Sequence, residues 1–295
     1  MAEKVAEQQP RLAWLPLTMQ GVLANSVEDI SRNIEHALTL DYIPYGDLIG
    51  AKSGAVAIVG SGPSLKTNWH ELRNFKGDII ACNAACQFLL EKGITPTYMF
   101  CFDADPLVLE FFTPHKEITY LMASRCVPNA FEVLKGCRVV LWHAAGDERI
   151  REILEARKVN EPMVTGGSAA VTRAMMLAMP IGYTEVHIYG GDSSFAEGET
   201  HIRKSTTVER RVQVKCNGRV FEVAPWMVMQ INDLEKLAPL IKSLGIRMHF
   251  HGDGLLQHVA RLLGFRTDYD NGYQRTVRAA ARWWLTKAVP TLQAI

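Results

Sequence analysis

The chain has no excess of charge of either sign. Among its 295 residues 32 are basic and 31 acidic, a formal net charge of +1. That balance argues against a dedicated nucleic-acid binder, which would normally show a basic stripe, while leaving room for a local basic patch; nucleic acid is not indicated as a partner. No apolar run is long enough to span a bilayer, and the polar opening Met1–Pro10 has no signal-peptide apolar core. A soluble, cytoplasmic protein is the expectation. Repeats and low-complexity tracts are also missing. The six cysteines, at 82, 86, 101, 126, 137 and 216, have the spacing of neither a zinc knuckle nor a redox pair. Most sit in apolar runs, which reads as buried free thiols in a reducing compartment.

Three familiar site signatures are absent too. Leu65 stands where the dinucleotide fingerprint would place its third glycine, and no Gly-Lys-Ser/Thr follows at the spacing of a Walker loop. No Ser-His-Asp ordering or nucleophile elbow occurs.

What is present is a core and an alternation. Apolar residues make up 48% of the chain, so a sizeable core can form, and 295 residues suffice for one large α/β domain with additions or for two small domains. A helical preface includes Ser26-Val-Glu-Asp29, which reads as the capped start of a helix running to about Leu38. From residue 55 strands and helices alternate. Strands are expected at 55–60, 78–82, 98–102, 118–123, 138–142, 162–165, 186–189 and 247–251, with helices at 65–75, 84–92, 147–157, 169–179, 225–244 and 255–263. Fully apolar strands alternating with helices predict a mostly parallel sheet covered on both faces. Asn217-Gly218 between two strand-like runs predicts a hairpin, a wall or lid over about 193–224. The reading divides the chain into a helical extension over 1–50, a nucleotide-binding domain over 51–265, and a C-terminal helix over 266–295.

In an open parallel sheet ligands bind beyond the carboxyl ends of the strands. The most informative of those ends is Gly60-Ser61-Gly62-Pro63-Ser64, which follows an apolar strand. Glycine permits a sharp turn and close ligand approach, Ser64 can cap the next helix, and a helix start favours an anion such as a phosphate. The bland alternative is an ordinary strand-to-helix turn. Thr165-Gly166-Gly167-Ser168 is a second such cradle, unless the small residues after it merely pack on the sheet. Asn83 is either an N-cap or an amide that reads a base, ribose or phosphate. Asp103 and Asp105 suit a divalent metal or sugar hydroxyls, or else a cap, since Pro106 follows. Asp192 ends Gly190-Gly-Asp192 and leads into a loop holding His201, a candidate general base or acid. His249 and His251 fall on one face by strand alternation; packing and caps are the commoner use of that pattern, a metal pair the rarer.

Several of these motifs coincide with known families. Val59-Gly-Ser-Gly-Pro-Ser-Leu-Lys66 resembles the opening signature shared by the motility-accessory-factor (Maf) flagellin glycosyltransferases, the small bacterial sialyltransferases that use CMP-sialic acid, and the MptE-like 6-hydroxymethylpterin diphosphokinases. Ala81-Cys-Asn83 is similar to the Cys-Asn of the sialyltransferases. Gly93-Ile-Thr-Pro, with the strand ending at Asp103, is similar to the Maf pattern, as is the block from Thr165 through Phe195 to Gly198-Glu-Thr-His201. The resemblance covers roughly 55–201, with a weaker echo at 246–259.

The resemblance implies a Rossmann-like fold and three functional expectations. In the first, a glycosyltransferase-like enzyme takes a sugar from a nucleotide-activated, CMP-linked donor to an unknown acceptor and needs no cofactor. Gly60, Ser61, Gly62, Pro63, Ser64, Asn83, Asp105 and the stretch Thr165 to Ser168 would bind the donor, and Asp103, Asp192 and His201 would be catalytic. In the second, a diphosphokinase transfers diphosphate from ATP to a pterin-like alcohol, with Mg²⁺ on Asp103, Asp105 and Asp192. In the third, the fold is a catalytically silent module, oligomeric or partner-binding, whose contact face is the Arg278–Trp284 segment.

Overall fold

The computed structural model describes residues 26–146, 148–202 and 210–268. Its strands are β1 (Ile43–Pro44), β2 (Ala55–Val59), β3 (Asp78–Cys82), β4 (Tyr98–Cys101), β5 (Thr119–Ala123), β6 (Arg138–Ala144), β7 (Met163–Val164), β8 (Glu185–Tyr189), β9 (Val212–Cys216), β10 (Arg219–Val223), β11 (Arg247–Phe250) and β12 (Arg266–Thr267). Its α-helices are α1 (Val27–Ala37), α2 (Leu65–Asn68), α3 (Ala84–Glu91), α4 (Pro128–Val133), α5 (Glu148–Ala156), α6 (Ala170–Ile181), α7 (Pro225–Ser243) and α8 (Leu255–Leu262).

Four consecutive residues at the end of each of β2, β3 and β5, and all four of β4, are buried. Neighbouring strand residues point to opposite faces, so unbroken burial means that both faces of the sheet are covered. Ten strands form this sheet in the order β1-β6-β5-β4-β3-β2-β8-β11-β12, with β7 also on β6. Every pairing in it is parallel. The fold is the Rossmann-like α/β architecture expected from the sequence. At its heart Trp142 stacks on Phe100 at 5.1 Å and on Phe102 at 5.6 Å, and its indole N–H donates to the Leu121 carbonyl at 3.2 Å.

Outside that sheet β9 and β10 form the antiparallel hairpin. Asn217 and Gly218 at its tip both have positive φ, 49° and 78°, as a two-residue turn matched to strand twist requires. At the other end of the chain, the Ser26 hydroxyl accepts the Asp29 N–H at 3.1 Å and caps α1.

Two local readings change. The helix expected over 65–75 is only the single turn α2, continued as a 3-10 helix over Trp69–Asn74. Asn68, at φ −108° and ψ 0°, departs from ideal α-helical angles where the α-turn gives way to the 3-10 helix. The helix α4 has no counterpart among the expected helices, although Pro128 at N1 is an ordinary helix-start signal. The C-terminal helix expected over 266–295 falls outside the described residues except at its start, where Arg266–Thr267 form β12, and the Arg278–Trp284 face lies outside them altogether. Among those residues, no helix is long and apolar enough to cross a membrane.

The strand order reverses at one place. From β2 the chain runs outward through β3 to β6, while β8, β11 and β12 lie on the other side of β2. A cleft beyond the carboxyl ends of β2 and β8 follows from that reversal. There the Gly60–Ser64 and Gly190–Asp192 turns are clamped together. The Gly60 N–H donates to the Tyr189 carbonyl at 2.8 Å and the Gly62 N–H to the Gly190 carbonyl at 2.7 Å. The Ser64 N–H donates to Asp192 Oδ2, also at 2.8 Å. A methyl group on Gly60 would lie 2.5 Å from the Gly190 carbonyl oxygen, and one on Gly190, at φ +57°, 2.3 Å from that of Gly60. Only glycine allows this approach.

Asp192 is 5% exposed. Burial pushes its carboxyl up to about 6, against the opposing pull of the hydrogen bonds from Ser64. Between about pH 4 and pH 6 the folded chain thus holds a proton that the unfolded chain has released. This group's contribution to stability then falls as pH rises through that window. Measured against Asp192→Asn, wild-type protein should lose roughly 3 kcal/mol of unfolding free energy between pH 4 and pH 7, the upper bound set by the size of the shift. Urea denaturation of both proteins across that range tests this; a difference that stays flat with pH refutes it.

Candidate functional site

The cleft at the strand-order reversal is lined by residues from five places in the chain. Gly60, Ser61 and Gly62 follow β2, and Cys82 and Asn83 follow β3. Ala169, Ala170 and Val171 open α6. Gly190 to Ser193, with Thr200 and His201, come from the segment after β8, and Trp226, Met227 and Gln230 come from the first turns of α7.

Burial explains why α6 reaches so close. Its inner face is Val171, Thr172, Ala174, Met175, Leu177 and Ala178, all buried, and it lies across β2, β3 and β4. Val171 is near enough that a methyl group on Gly60 would meet its Cγ2 at 2.6 Å.

The clamp changes how the first turn can act on a ligand. The N–H groups of Gly60, Gly62 and Ser64 donate within the protein, and Pro63 has none. Ser61 presents itself to the cleft, and its carbonyl accepts the Ile202 N–H at 2.7 Å. Ser64 makes no side-chain cap on α2. The carboxylate of Asp192 satisfies the helix start instead, from 128 residues away. Neither Pro63 nor Ser64 is among the lining residues.

Asn83 occupies the N-cap position of α3 but makes no side-chain cap bond. Its backbone has φ +47° and ψ −122°, a conformation that costs of order 1–3 kcal/mol for a residue with a side chain. The backbone holds it there, with its N–H on the Phe100 carbonyl at 3.1 Å. Its Oδ1 is buried and finds no hydrogen-bond partner among the described residues. A strained residue with an unsatisfied amide oxygen at a cleft wall is set up to meet a donor from outside the protein.

The segment 193–202 closes one side. The Ser193 hydroxyl donates to Gln230 Oε1, and the Phe195 N–H donates to the Glu222 carbonyl of β10 at 2.8 Å. Arg211 donates to the Gly198 carbonyl at 3.0 Å while lying 4.4 Å over the Phe195 ring. The hairpin therefore straps this segment down. At its end His201 lies against Trp226, ring centroids 6.1 Å apart and nearly parallel. His201 Nδ1 is 2.7 Å from the Thr200 hydroxyl.

The remaining sequence-derived candidates sit apart. Asp103 accepts the Asp105 N–H at 3.0 Å, and Asp105 accepts the Leu107 N–H at 2.9 Å, capping the 3-10 helix Pro106–Phe111. Neither carboxylate lines the cleft, so Asp103 and Asp105 do not join Asp192 there. Thr165, Gly166, Gly167 and Ser168 stop just short of it. The Ser168 N–H and hydroxyl both donate to the Asp233 carboxylate of α7. The buried Arg173 holds the same turn from behind, donating to the Gly167 carbonyl at 3.0 Å and the Val164 carbonyl at 2.7 Å. Sequence reading missed Asp233, Arg173, Trp226 and Gln230. Each lies inside a helical pattern, where nothing local distinguishes a site residue from a solvated or packed one.

Comparison with known proteins bears on the fold. A Maf glycosyltransferase from Magnetospirillum magneticum AMB-1 superposes with a TM-score of 0.61 at 17% identity, over 88% of this chain and 43% of that one. The likeness shows a shared fold, and this chain spans less than half the length of that structure. A mammalian sialyltransferase, solved with Gal-beta-1-3GalNAc-ortho-nitrophenol, aligns at a TM-score of 0.39 and 14% identity over 76% of this chain and 79% of its own; at that score the likeness carries no argument. No curated protein sequence matches the chain. The family model described as 6-hydroxymethylpterin diphosphokinase MptE-like matches residues 30–198, more than half of the sequence. The chain belongs to the 6-hydroxymethylpterin diphosphokinase MptE-like family.

Proposed function

We propose that this protein is a transferase that binds a nucleotide-activated sugar in the cleft between β2 and β8 and passes the sugar to an acceptor hydroxyl. The observation that carries the reading is the state of the carboxylates. Among the described lining residues Asp192 is the one acidic side chain, and its Oδ2 already accepts the Ser64 N–H. Such a cleft suits recognition by hydroxyl, amide and imidazole groups. Ser61 and Asn83 would contact the nucleotide, with the unpaired Asn83 Oδ1 accepting a base amine or a ribose hydroxyl. Trp226 and His201 offer a flat stacked wall for a sugar or base. In the reaction the acceptor oxygen attacks the anomeric carbon, the nucleotide phosphate leaves with the bonding pair, and His201 takes the acceptor proton. The resemblance to enzymes using CMP-sialic acid makes CMP the first nucleotide to try.

The family description supports a second reading, Mg²⁺-dependent diphosphate transfer from ATP to a pterin-like alcohol. It would draw its metal ligands from Asp103, Asp105 and Asp192. The separation of the first two from the cleft weighs against that set.

Calorimetric titration with CMP, UDP and ATP, each with and without Mg²⁺, distinguishes the two. Metal-independent binding of a nucleoside mono- or diphosphate, weakened roughly tenfold in Asn83→Ala, is the expected result. Binding of ATP alone, and only with Mg²⁺, would move the assignment to the diphosphokinase; no nucleotide binding at all would end both readings. Once a donor is known, His201→Ala should lower kcat by about 100-fold or more with little change in donor affinity. Undiminished turnover in that variant removes His201 from the chemistry.

A further inference from the structure

We propose that His187, His249 and His251 bind a divalent transition-metal ion of the zinc class, in a centre separate from the cleft. None of the three lines the cleft. Strand register brings them together. His187 of β8 is directly opposite His249 of β11, and His251 follows on the same face of β11. One ring nitrogen from each lies within 4.8 Å of the other two. Imidazole nitrogens at such separations are the common donor set for zinc and its neighbours.

Hydrogen-bond accounting indicates that a cation belongs there. His187 Nε2 pairs with Glu185 Oε1 at 3.1 Å. A carboxylate only accepts, so Nε2 carries the proton, and in a neutral ring Nδ1 is a bare lone pair. That Nδ1 lies 2.9 Å from His251 Nε2, which must then donate. His251 Nδ1 is in turn left as a bare lone pair, 2.9 Å from Asp268 Oδ1. The opposite tautomer of His251 sets two imidazole lone pairs against each other at 2.9 Å. For a neutral His251 either choice leaves two acceptors face to face in a buried site, and only an added positive charge, a metal ion or a second proton, removes the conflict. His249 and His251 are 7% and 6% exposed. His249 Nε2 and His251 Nδ1 make no hydrogen bond among the described residues, although His249 Nε2 is 3.3 Å from the same Asp268 oxygen. A positive centre resolves both contacts.

The surroundings match a metal rather than chance packing. Glu185 and Asp268 sit behind His187 and His251, the carboxylate–histidine arrangement that orients metal ligands. Glu71 Oε2 is 3.6 Å from His251 Nδ1, so three carboxylates ring the three imidazoles. Asp268 Oδ2 also accepts the Gly252 N–H at 2.7 Å, and a methyl group on Gly252 would meet the Ser64 hydroxyl at 2.7 Å. The ion would brace the strand ends behind the clamp that shapes the cleft.

The test uses the full chain. The protein is equilibrated with Zn²⁺, freed of loose metal on a desalting column and assayed for zinc, and a parallel sample is loaded with Co²⁺ for visible spectroscopy. We expect one zinc per chain and the visible ligand-field bands of imidazole-bound cobalt. Both should be lost in His249→Gln and in His251→Gln and kept in His115→Gln, a histidine outside the cluster. Zinc well below one per chain with no cobalt bands in wild-type protein would overturn the proposal and leave a shared proton as the resolving charge. So would full zinc binding in a folded His249→Gln. If the variants do not fold, the wild-type cobalt spectrum decides by itself.

Discussion

The contact between two strand-end turns governs this molecule. Where the strand order reverses, the backbone after β2 and the backbone after β8 approach so closely that each excludes a side chain from the other. The buried Asp192 carboxylate completes the contact by accepting the Ser64 N–H. A helix start normally seeks an anion, and here the protein supplies its own. That one interaction sets the position of α2, the floor of the cleft, and the entry of the segment leading to His201.

The consequence for chemistry is a division of labour. Backbone amides of the kind that grip a phosphate in nucleotide-binding folds here hold the floor together. Under the proposed function, recognition would fall to side chains arranged around that floor. Asn83, strained and with a buried unpaired oxygen, faces the cleft from β3. Trp226, Met227 and Gln230 face it from α7, a helix that begins more than 140 residues after Asn83. The hairpin β9–β10 has no side chain in the lining, yet it anchors the segment carrying His201 through Glu222 and Arg211. The second glycine turn, 165–168, is also committed internally, tied to Asp233 and Arg173.

Much of the framework was legible because its causes are local. Apolar runs of four or five residues gave the central strands. Asn217-Gly218 gave the hairpin, because those two residues tolerate the positive φ that the turn demands. The strand ends that meet at the cleft were marked by glycine, since close backbone approach leaves room for nothing else. What stayed illegible depended on distance in the chain. Asp103 and Asp105 looked like a ligand pair and are instead caps for the backbone that follows them; a two-residue spacing cannot distinguish those uses. The two-residue strands β1 and β12 are too short to carry a period.

Sequence by itself determined the alternating α/β layout, the glycine turns, and a pair of histidines on one face of β11, because periodicity and backbone sterics act over a few residues. Tertiary structure alone decided which turn faces which, that Asp192 serves Ser64, and that Asp233 takes Ser168. It also added His187, whose place beside His249 exists only through the pairing of β8 with β11. Register between strands 60 residues apart is an outcome of packing the whole core, and no local pattern encodes it.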